Sequence, residues 1–257
     1  MRALSYVAAM IVGMLQVCLN GVRTRAECSY LPVSPQELAE AAAMAVAAGA
    51  VDVHLHPKDR NGRDSLDAAH VDAAITAVRA AVPGIPVGVT TGAWTLTDPR
   101  RRAESVNSWN VLPDHASVNW HEDGAAHVAD ALLKRGIGIE AGIYSGTTAL
   151  DEFLSWPRAH RALRVLAEIT EVEPAAAAIA AEALLKELAS RTRLPILVHG
   201  EDGAAWHIVR LAAARGLDTR IGLEDSLHLA DGAEATDNAG LVRAARLILQ
   251  HDPAGRY

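Results

Sequence analysis

The chain is poor in cysteine and in aromatic residues. Its 257 residues include two cysteines, Cys18 and Cys28, and only 4% are aromatic, with a single Phe. Two cysteines cannot staple a small secreted scaffold, and they fit a reducing cytosol. So few rings cannot supply the stacking platforms of a single-strand nucleic-acid binder. A basic surplus is missing too. Acidic residues number 31 against 24 basic, for a net charge of −7, whereas nucleic-acid binding needs a basic face. Uninterrupted apolar runs of about 20 residues, as a membrane span requires, are also lacking. The most apolar segment, Ala3–Cys18 after Arg2, reads either as a signal peptide or as an extension leading into a buried first strand. The second reading is preferred, because Leu15–Leu19 is an element the domain needs. It makes residues 1–14 an N-terminal extension, with Met10 or Met14 as the true start, and the protein cytoplasmic.

What is present is alternation. Half the residues are apolar and 21% charged, enough to bury a sizeable core. Short Val- and Ile-rich runs alternate with Ala-rich segments of helical period. The strands are expected at Leu15–Leu19, Val51–His56, Pro86–Thr90, Ala116–Asn119, Gly138–Ala141, Arg164–Glu168, Pro195–His199 and Asp218–Leu223. The helices between them are expected from Ser34 to Gly49, then at Leu66–Val82, Pro99–Trp109, Gly124–Arg135, Thr148–Ser155, Pro174–Ser190, Ala204–Ala214 and Asn238–Gln250. Ser34-Pro35 is a helix start, with Ser as N-cap and Pro in the first turn. Eight strand–helix units in about 250 residues predict an α/β fold, a single-domain (β/α)₈ TIM barrel over residues 15–257. A doubly wound sheet is the alternative, but no G-x-G-x-x-G loop follows any strand.

In such a barrel the chemistry lies at the C-terminal ends of the strands. The residues expected there are strongly polar: Asn20; His54 and His56; Thr90 and Thr91; Asn119 and His121; Glu140; Glu168; His199 and Glu201; Arg220, Glu224 and Asp225. His54 and His56 are two apart on one strand and point the same way. Neutral imidazole is a common metal ligand, although H-x-H alone also describes two core or surface histidines. The strand Arg220-Ile221-Gly222-Leu223 ends in Glu224-Asp225, two places round the barrel from the H-x-H strand. Glu224 therefore completes a His₂Glu set, which leaves a coordination position open, as in catalytic zinc sites. Arg220 and Asp225 form either a directed catalytic pair or a structural ion pair.

Weaker signals stay open. Thr90-Thr91 and Asn119 bind a substrate carboxylate or cap the next helix. Glu140, inside the barrel, needs a cationic or metal partner. His199-Gly200-Glu201-Asp202 is a functional strand end or an acidic helix N-terminus. Trp120 is a candidate pocket residue. The other histidines, His115 among them, are read as solvated.

Asp52–His56 with Pro57-Lys58-Asp59, the Thr90-Thr91-Gly92 turn, Ala116–Asn119, Glu140 and Arg220–Asp225 together resemble the β-keto acid cleavage enzymes, whose type member is 3-keto-5-aminohexanoate cleavage enzyme. The resemblance runs from about Leu15 to Gln250. It implies a zinc-dependent, homo-oligomeric barrel (dimer or tetramer). It implies a retro-Claisen exchange in which a β-keto acid and acetyl-CoA give acetoacetate and a new acyl-CoA. It implies His54, His56 and Glu224 as metal ligands. Arg220, oriented by Asp225, would be catalytic, Thr90 and Asn119 would hold the carboxylate, and Glu140 would be an acidic pocket residue. Arginine keeps its proton in proteins, so Arg220 is expected to act as an electrostatic anchor, with the proton passing through water or Asp225.

Some positions depart from the family pattern. Arg23 stands where the type enzyme has a glutamate for its substrate's amine, which predicts a second carboxylate or a neutral polar tail instead. Lys58 replaces a common arginine, and the chain looks shorter than typical members. Two other readings remain: a zinc hydrolase of the amidohydrolase kind, using His199 or His121 beside H-x-H, and a metal-binding barrel without catalysis.

Overall fold

The computed structural model describes residues 13–251, so most of the expected N-terminal extension lies outside the described residues. Eight strands alternate with eight α-helices: β1 Leu15–Cys18, α1 Pro35–Ala47, β2 Asp52–Leu55, α2 Ala68–Ala81, β3 Val87–Thr90, α3 Pro99–Ser108, β4 His115–Asn119, α4 Ala125–Lys134, β5 Gly138–Tyr144, α5 Ala149–Ser155, β6 Arg164–Ile169, α6 Pro174–Arg191, β7 Ile196–Gly200, α7 Ala205–Arg215, β8 Asp218–Ile221 and α8 Asn238–His251. Each strand pairs in parallel with the next, and β8 returns to β1 to close the barrel. The protein is a TIM barrel. Among the described residues no helix is long and apolar enough to cross a membrane.

The helices begin as their sequences dictate. Ser34 and Glu37 form a reciprocal capping box at the start of α1. Pro lies in the first turn of α1, α3 and α6, where its missing N–H costs nothing. The outward faces of the strands, such as Val53, Leu55, Val87, Val89, Ile139 and Ala141, are fully buried under the helices. Each Val, Leu or Ile so covered contributes roughly 1.5–3 kcal/mol relative to exposure.

Below the mouth the barrel interior is not apolar. Gln16, Asp52, His115, Glu140 and Arg164 form one buried layer. Arg164 donates from Nε to Glu140 and from Nη2 to Asp52, both at 2.8 Å. Gln16 Nε2 donates to Asp52 Oδ1 and Glu140 Oε1, each at 3.0 Å. His115 faces Asp52 at 3.0 Å and Glu140 at 3.1 Å. Burial would discharge the imidazole, yet Glu140 and Asp52 outweigh it and push its pKa up to about 10. His115 is therefore a buried cation on β4 and not a solvated histidine. It fits because Gly88 on β3 has no side chain: a Cβ there would lie 2.0 Å from the ring.

Two strand ends differ from expectation, with consequences for the site. β5 runs on to Tyr144, so Glu140 is its third residue and sits one layer down, not at the rim. β8 stops at Ile221 because the chain turns at Gly222, whose absent Cβ would lie 1.9 Å from the Cys18 carbonyl oxygen. The amides of Asp225 and Ser226 bond back to the Gly222 carbonyl. Glu224 and Asp225 are thus on a tight turn, and that turn sends their side chains in different directions.

Candidate active site

A cavity of about 360 Å³ opens at the C-terminal end of the barrel. His54, on β2, and His56, just beyond it, are both buried on its wall, with ring centroids 5.4 Å apart. Glu224 reaches them from the turn after β8. Its Oε2 lies 4.0 Å from His54 Nε2 and 3.7 Å from His56 Nε2. One ligand atom from each of the three residues falls within 4.8 Å of the others. The buried Oε2 has no hydrogen-bond partner, a costly state for a carboxylate oxygen unless a cation completes it. Two imidazoles and one carboxylate are a donor set suited to zinc, so these residues fit a divalent ion.

The ligands are held from behind. Asp64 Oδ2 lies 3.0 Å from His56 Nδ1, which leaves Nε2 toward the cavity. Trp94 donates its indole N–H to the same oxygen at 2.8 Å and stacks on the His56 ring. Lys58 Nζ donates to the other Asp64 oxygen at 2.6 Å and to the Gly21 carbonyl at 2.6 Å. Burial would raise the Asp64 carboxyl, but its bonds to His56 and Lys58 hold it down to about 2.

Arg220 lines the cavity beside Glu224 and donates to Glu224 Oε1 at 2.9 Å. Its Nε donates to Asp225 at 3.2 Å. Asp225 is fully buried and off the cavity wall, and its Oδ1 also faces His199 Nδ1 at 3.1 Å. The other ring nitrogen of His199 is bonded to Glu168. Burial and Arg220 would discharge His199, but Glu168 and Asp225 raise its pKa to about 9. A chain of charges thus runs Glu168–His199–Asp225–Arg220–Glu224 from β6 to the three-residue cluster.

The other expected residues divide. Thr90 and Asn119 are on the wall. Thr91 is not: its hydroxyl donates to the Ser117 carbonyl at 2.6 Å, and this bond to β4 replaces the expected substrate contact. Glu140 lies below the floor, 3.8 Å from His54 Nδ1, and its partner is Arg164 and not a pocket ligand. Trp120 packs against Phe153 and Trp156, away from the cavity. Arg23 is on the wall, but its guanidinium is already engaged by Asp202, lies 3.8 Å from Glu27, and donates from Nε to the Glu224 carbonyl at 3.1 Å. Asp64 and Trp94 escaped the sequence reading, because they sit in loops with no periodic signal. The antiparallel bridge Lys58–Asp64 folds one of those loops back on the H-x-H strand.

An eight-stranded barrel with a His₂Glu cluster and a pinned arginine at its C-terminal mouth is a TIM-barrel enzyme with a candidate metal centre. Comparison with known families makes this specific. The chain belongs to the beta-keto acid cleavage enzyme family, whose profile matches residues 13–252. Among solved structures, apo ObcA is similar at 18% identity and a TM-score of 0.71 over 88% of this chain and 63% of that one. ObcA in ternary complex with a C4-CoA adduct and oxalate is similar at 17% identity and 0.70, over 88% and 65%. Type I 3-dehydroquinate dehydratase from Clostridium difficile shares the fold at 12% identity and 0.62, over 93% of each chain. The chain spans about two thirds of the length of ObcA.

Proposed function

We propose that the protein is a zinc-dependent enzyme that exchanges acyl groups between a β-keto acid and acetyl-CoA, giving acetoacetate and a new acyl-CoA. The observation that carries the reading is the convergence of His54, His56 and the unpartnered Glu224 oxygen beside a pinned Arg220, in a chain of this family. ObcA supports it by the names of its complexes, with oxaloacetate, itself a β-keto acid, and with a C4-CoA adduct. When bound, a metal held by these three residues would act as a Lewis acid, favouring the enolate of the keto acid.

The protein's own groups do the rest. Thr90 Oγ1 accepts from the Gly92 amide at 3.1 Å, which leaves its O–H to donate to the substrate carboxylate. Asn119 spends one N–H on Glu122 at 3.0 Å and keeps the other. Burial opposes the charge of Arg220, yet the neighbouring carboxylates hold its pKa well above the ordinary value. It therefore stays a cation, and its Nη1, which makes no hydrogen bond, is left for an oxygen on which charge develops. Asp225 orients that guanidinium from outside the cavity. We take the protein to be cytoplasmic and homo-oligomeric as part of the same reading, the second checked by sedimentation.

The test is metal content together with acetoacetate release from acetyl-CoA across a panel of β-keto acids, for wild type and Glu224→Ala. Stoichiometric zinc with product from the wild type alone supports the reading. Zinc with no CoA-dependent product would point to a hydrolase. That alternative is already short of donors, because both nitrogens of His199 are engaged and His121 packs on Tyr144.

A further inference from the structure

The two histidines of the cluster are backed differently. His56 has Asp64 behind it, in hydrogen-bond contact. Behind His54 stands Glu140, from the buried layer under the cavity. His54 Nε2 faces Glu224 at 4.0 Å, so its other ring nitrogen, Nδ1, points down into the barrel. That nitrogen is buried and makes no hydrogen bond. Glu140 Oε2 lies 3.8 Å from it, is buried as well, and has no hydrogen-bond partner either. A buried polar atom left unpaired is costly. Two of them face to face, one on a ring that can carry a proton and one on a carboxylate, are the two halves of a bond.

The carboxylate is aimed from below. Glu140 is the third residue of β5 and lies in register with Arg164 on β6. Its Oε1 is fully committed, accepting from Arg164 Nε at 2.8 Å and from Gln16 Nε2 at 3.0 Å. Its Oε2 faces His115 at 3.1 Å on one side and His54 on the other. A carboxylate oxygen has lone pairs for both. Asp52, two residues before His54 on the same face of β2, accepts from Arg164 and Gln16 as well. β2 is therefore tied to the layer at Asp52 and presents His54 to it one place higher on that face.

We propose that Glu140 is a positioning residue for the candidate metal centre: it accepts the Nδ1 proton of His54, which fixes the tautomer of the ring and leaves the Nε2 lone pair toward the cavity. This rests on the metal-binding part of the reading above and not on the acyl exchange. The reason is electrostatic. A neutral imidazole carries one proton. On Nε2 that proton would block ligation and leave the Nδ1 lone pair against an anion. On Nδ1 it is attracted to Oε2, and Nε2 is free to ligate. The 3.8 Å separation is longer than a hydrogen bond, and closing it to about 3 Å makes one. The buried layer thus does more than hold the barrel together. Arg164 and Gln16 hold Glu140, Glu140 sets His54, and His54 offers its nitrogen to the ion. Glu140 itself touches neither ion nor substrate, which separates it from the acidic pocket residue expected at this position.

The experiment is zinc affinity, measured by competition with a chromophoric chelator, in wild type, Glu140→Gln and His115→Gln. Arg164 and Gln16 are donors, so in Glu140→Gln they select the amide oxygen and leave the NH2 group toward His54. That group pairs with the Nδ1 lone pair and drives the ring proton to Nε2. The expected loss of zinc affinity is about 10–100-fold. His115→Gln loosens the same layer but keeps the Glu140 carboxylate, and is expected to bind zinc within about threefold of wild type, clear of that range. A second readout uses the wild type alone. With isotope-labelled histidine, proton–nitrogen correlation spectra of the zinc-loaded protein should show His54 protonated at Nδ1, its proton shifted downfield by the carboxylate. Ligation of zinc through Nδ1 overturns the assignment. So does Glu140→Gln within about threefold of wild type, or an equal loss in His115→Gln, which would make the effect a collapse of the layer. Each of these leaves the metal centre standing. Wild type that binds no zinc overturns both the centre and the role of Glu140 in it.

Discussion

His56 Nδ1 faces Asp64 Oδ2 at 3.0 Å, and that same oxygen accepts the indole N–H of Trp94. A carboxylate behind a ligating histidine fixes its tautomer and raises its basicity, and losing it typically costs 10–100-fold in metal affinity. Asp64→Asn is expected to weaken zinc by about that factor, read by competition with a chromophoric chelator. Equal affinity in the two proteins would mean that Asp64 serves only to hold Lys58 and Trp94.

The barrel, the H-x-H strand and Glu224 were legible because period and spacing carry them. Eight alternating units leave few topologies, and two histidines on one strand face must converge. Depth was not legible. Glu140 looked like a rim residue because β5 was expected to stop at Ala141, whereas backbone pairing with β6 continues to Tyr144–Glu168. Partner choice was not legible either. Nothing local says that Thr91 bonds Ser117 and that Thr90, its neighbour, faces the cavity, since adjacent strand residues point oppositely only once the register is known. His115 looked solvated because its partners, Asp52 and Glu140, are 63 and 25 residues away in the chain.

The layer beneath the site predicts the pH dependence of stability in the metal-free protein. A histidine whose folded pKa is raised stabilises fully below its unfolded value of about 6.5 and loses that contribution as pH rises. His115 titrates near 10 and His199 near 9 in the folded state. The melting temperature is therefore expected to fall steadily from pH 7 to 10. Asp52 and Glu140 are depressed despite their burial, chiefly by His115, with Arg164 adding to it. Their share is present above about pH 4 and fades in acid. His115→Gln should keep only the His199 part of the alkaline slope and cost about 3–5 kcal/mol at pH 7, as for breaking a buried ion pair. A wild-type melting temperature flat across pH 7–10 would contradict this.

Gly88→Ala probes the same layer without touching a charge. Its Cβ would lie 2.0 Å from the His115 ring, which Asp52 and Glu140 pin on both sides. Either the ring leaves its partners or the strand shifts. The expected loss approaches that of His115→Gln, with a matching weakening of the alkaline slope, measured by the same melts. A neutral effect would show that β3 can move at this point.

Thr90 and Thr91 separate substrate binding from structure. Thr91→Val removes a buried hydroxyl bond to the Ser117 carbonyl and is expected to cost about 1–3 kcal/mol of stability, with kcat/KM nearly unchanged. Thr90→Val removes a hydroxyl from the cavity wall and is expected to raise KM for the keto acid about tenfold or more, the worth of a hydrogen bond to a charged group. Stability curves and steady-state kinetics on both variants decide it, and the reverse pattern would exchange their roles.

Arg23 decides the substrate's tail. Standing where the resembled type enzyme has a glutamate, it was expected to receive a second carboxylate or a neutral polar tail. In the folded protein that charge is spent: Asp202 holds Nη2, Glu27 stands 3.8 Å from Nη1, and Nε donates to the Glu224 carbonyl. With Glu201 also on this side of the cavity, the rim around Arg23 carries three carboxylates, Glu27, Glu201 and Asp202, against one guanidinium. A dicarboxylic tail would have to displace Asp202 to reach it. Arg23→Gln is therefore expected to change KM for a dicarboxylic keto acid no more than about threefold relative to a neutral-tailed one, a difference of well under 1 kcal/mol. It should affect both acids alike, because the Arg23–Asp202 pair stands on the rim that both would pass. A KM that rises about 30-fold or more for the dicarboxylic acid alone, roughly 2 kcal/mol of selective binding, would make Arg23 the receptor for a second carboxylate, one of the two tails expected for it.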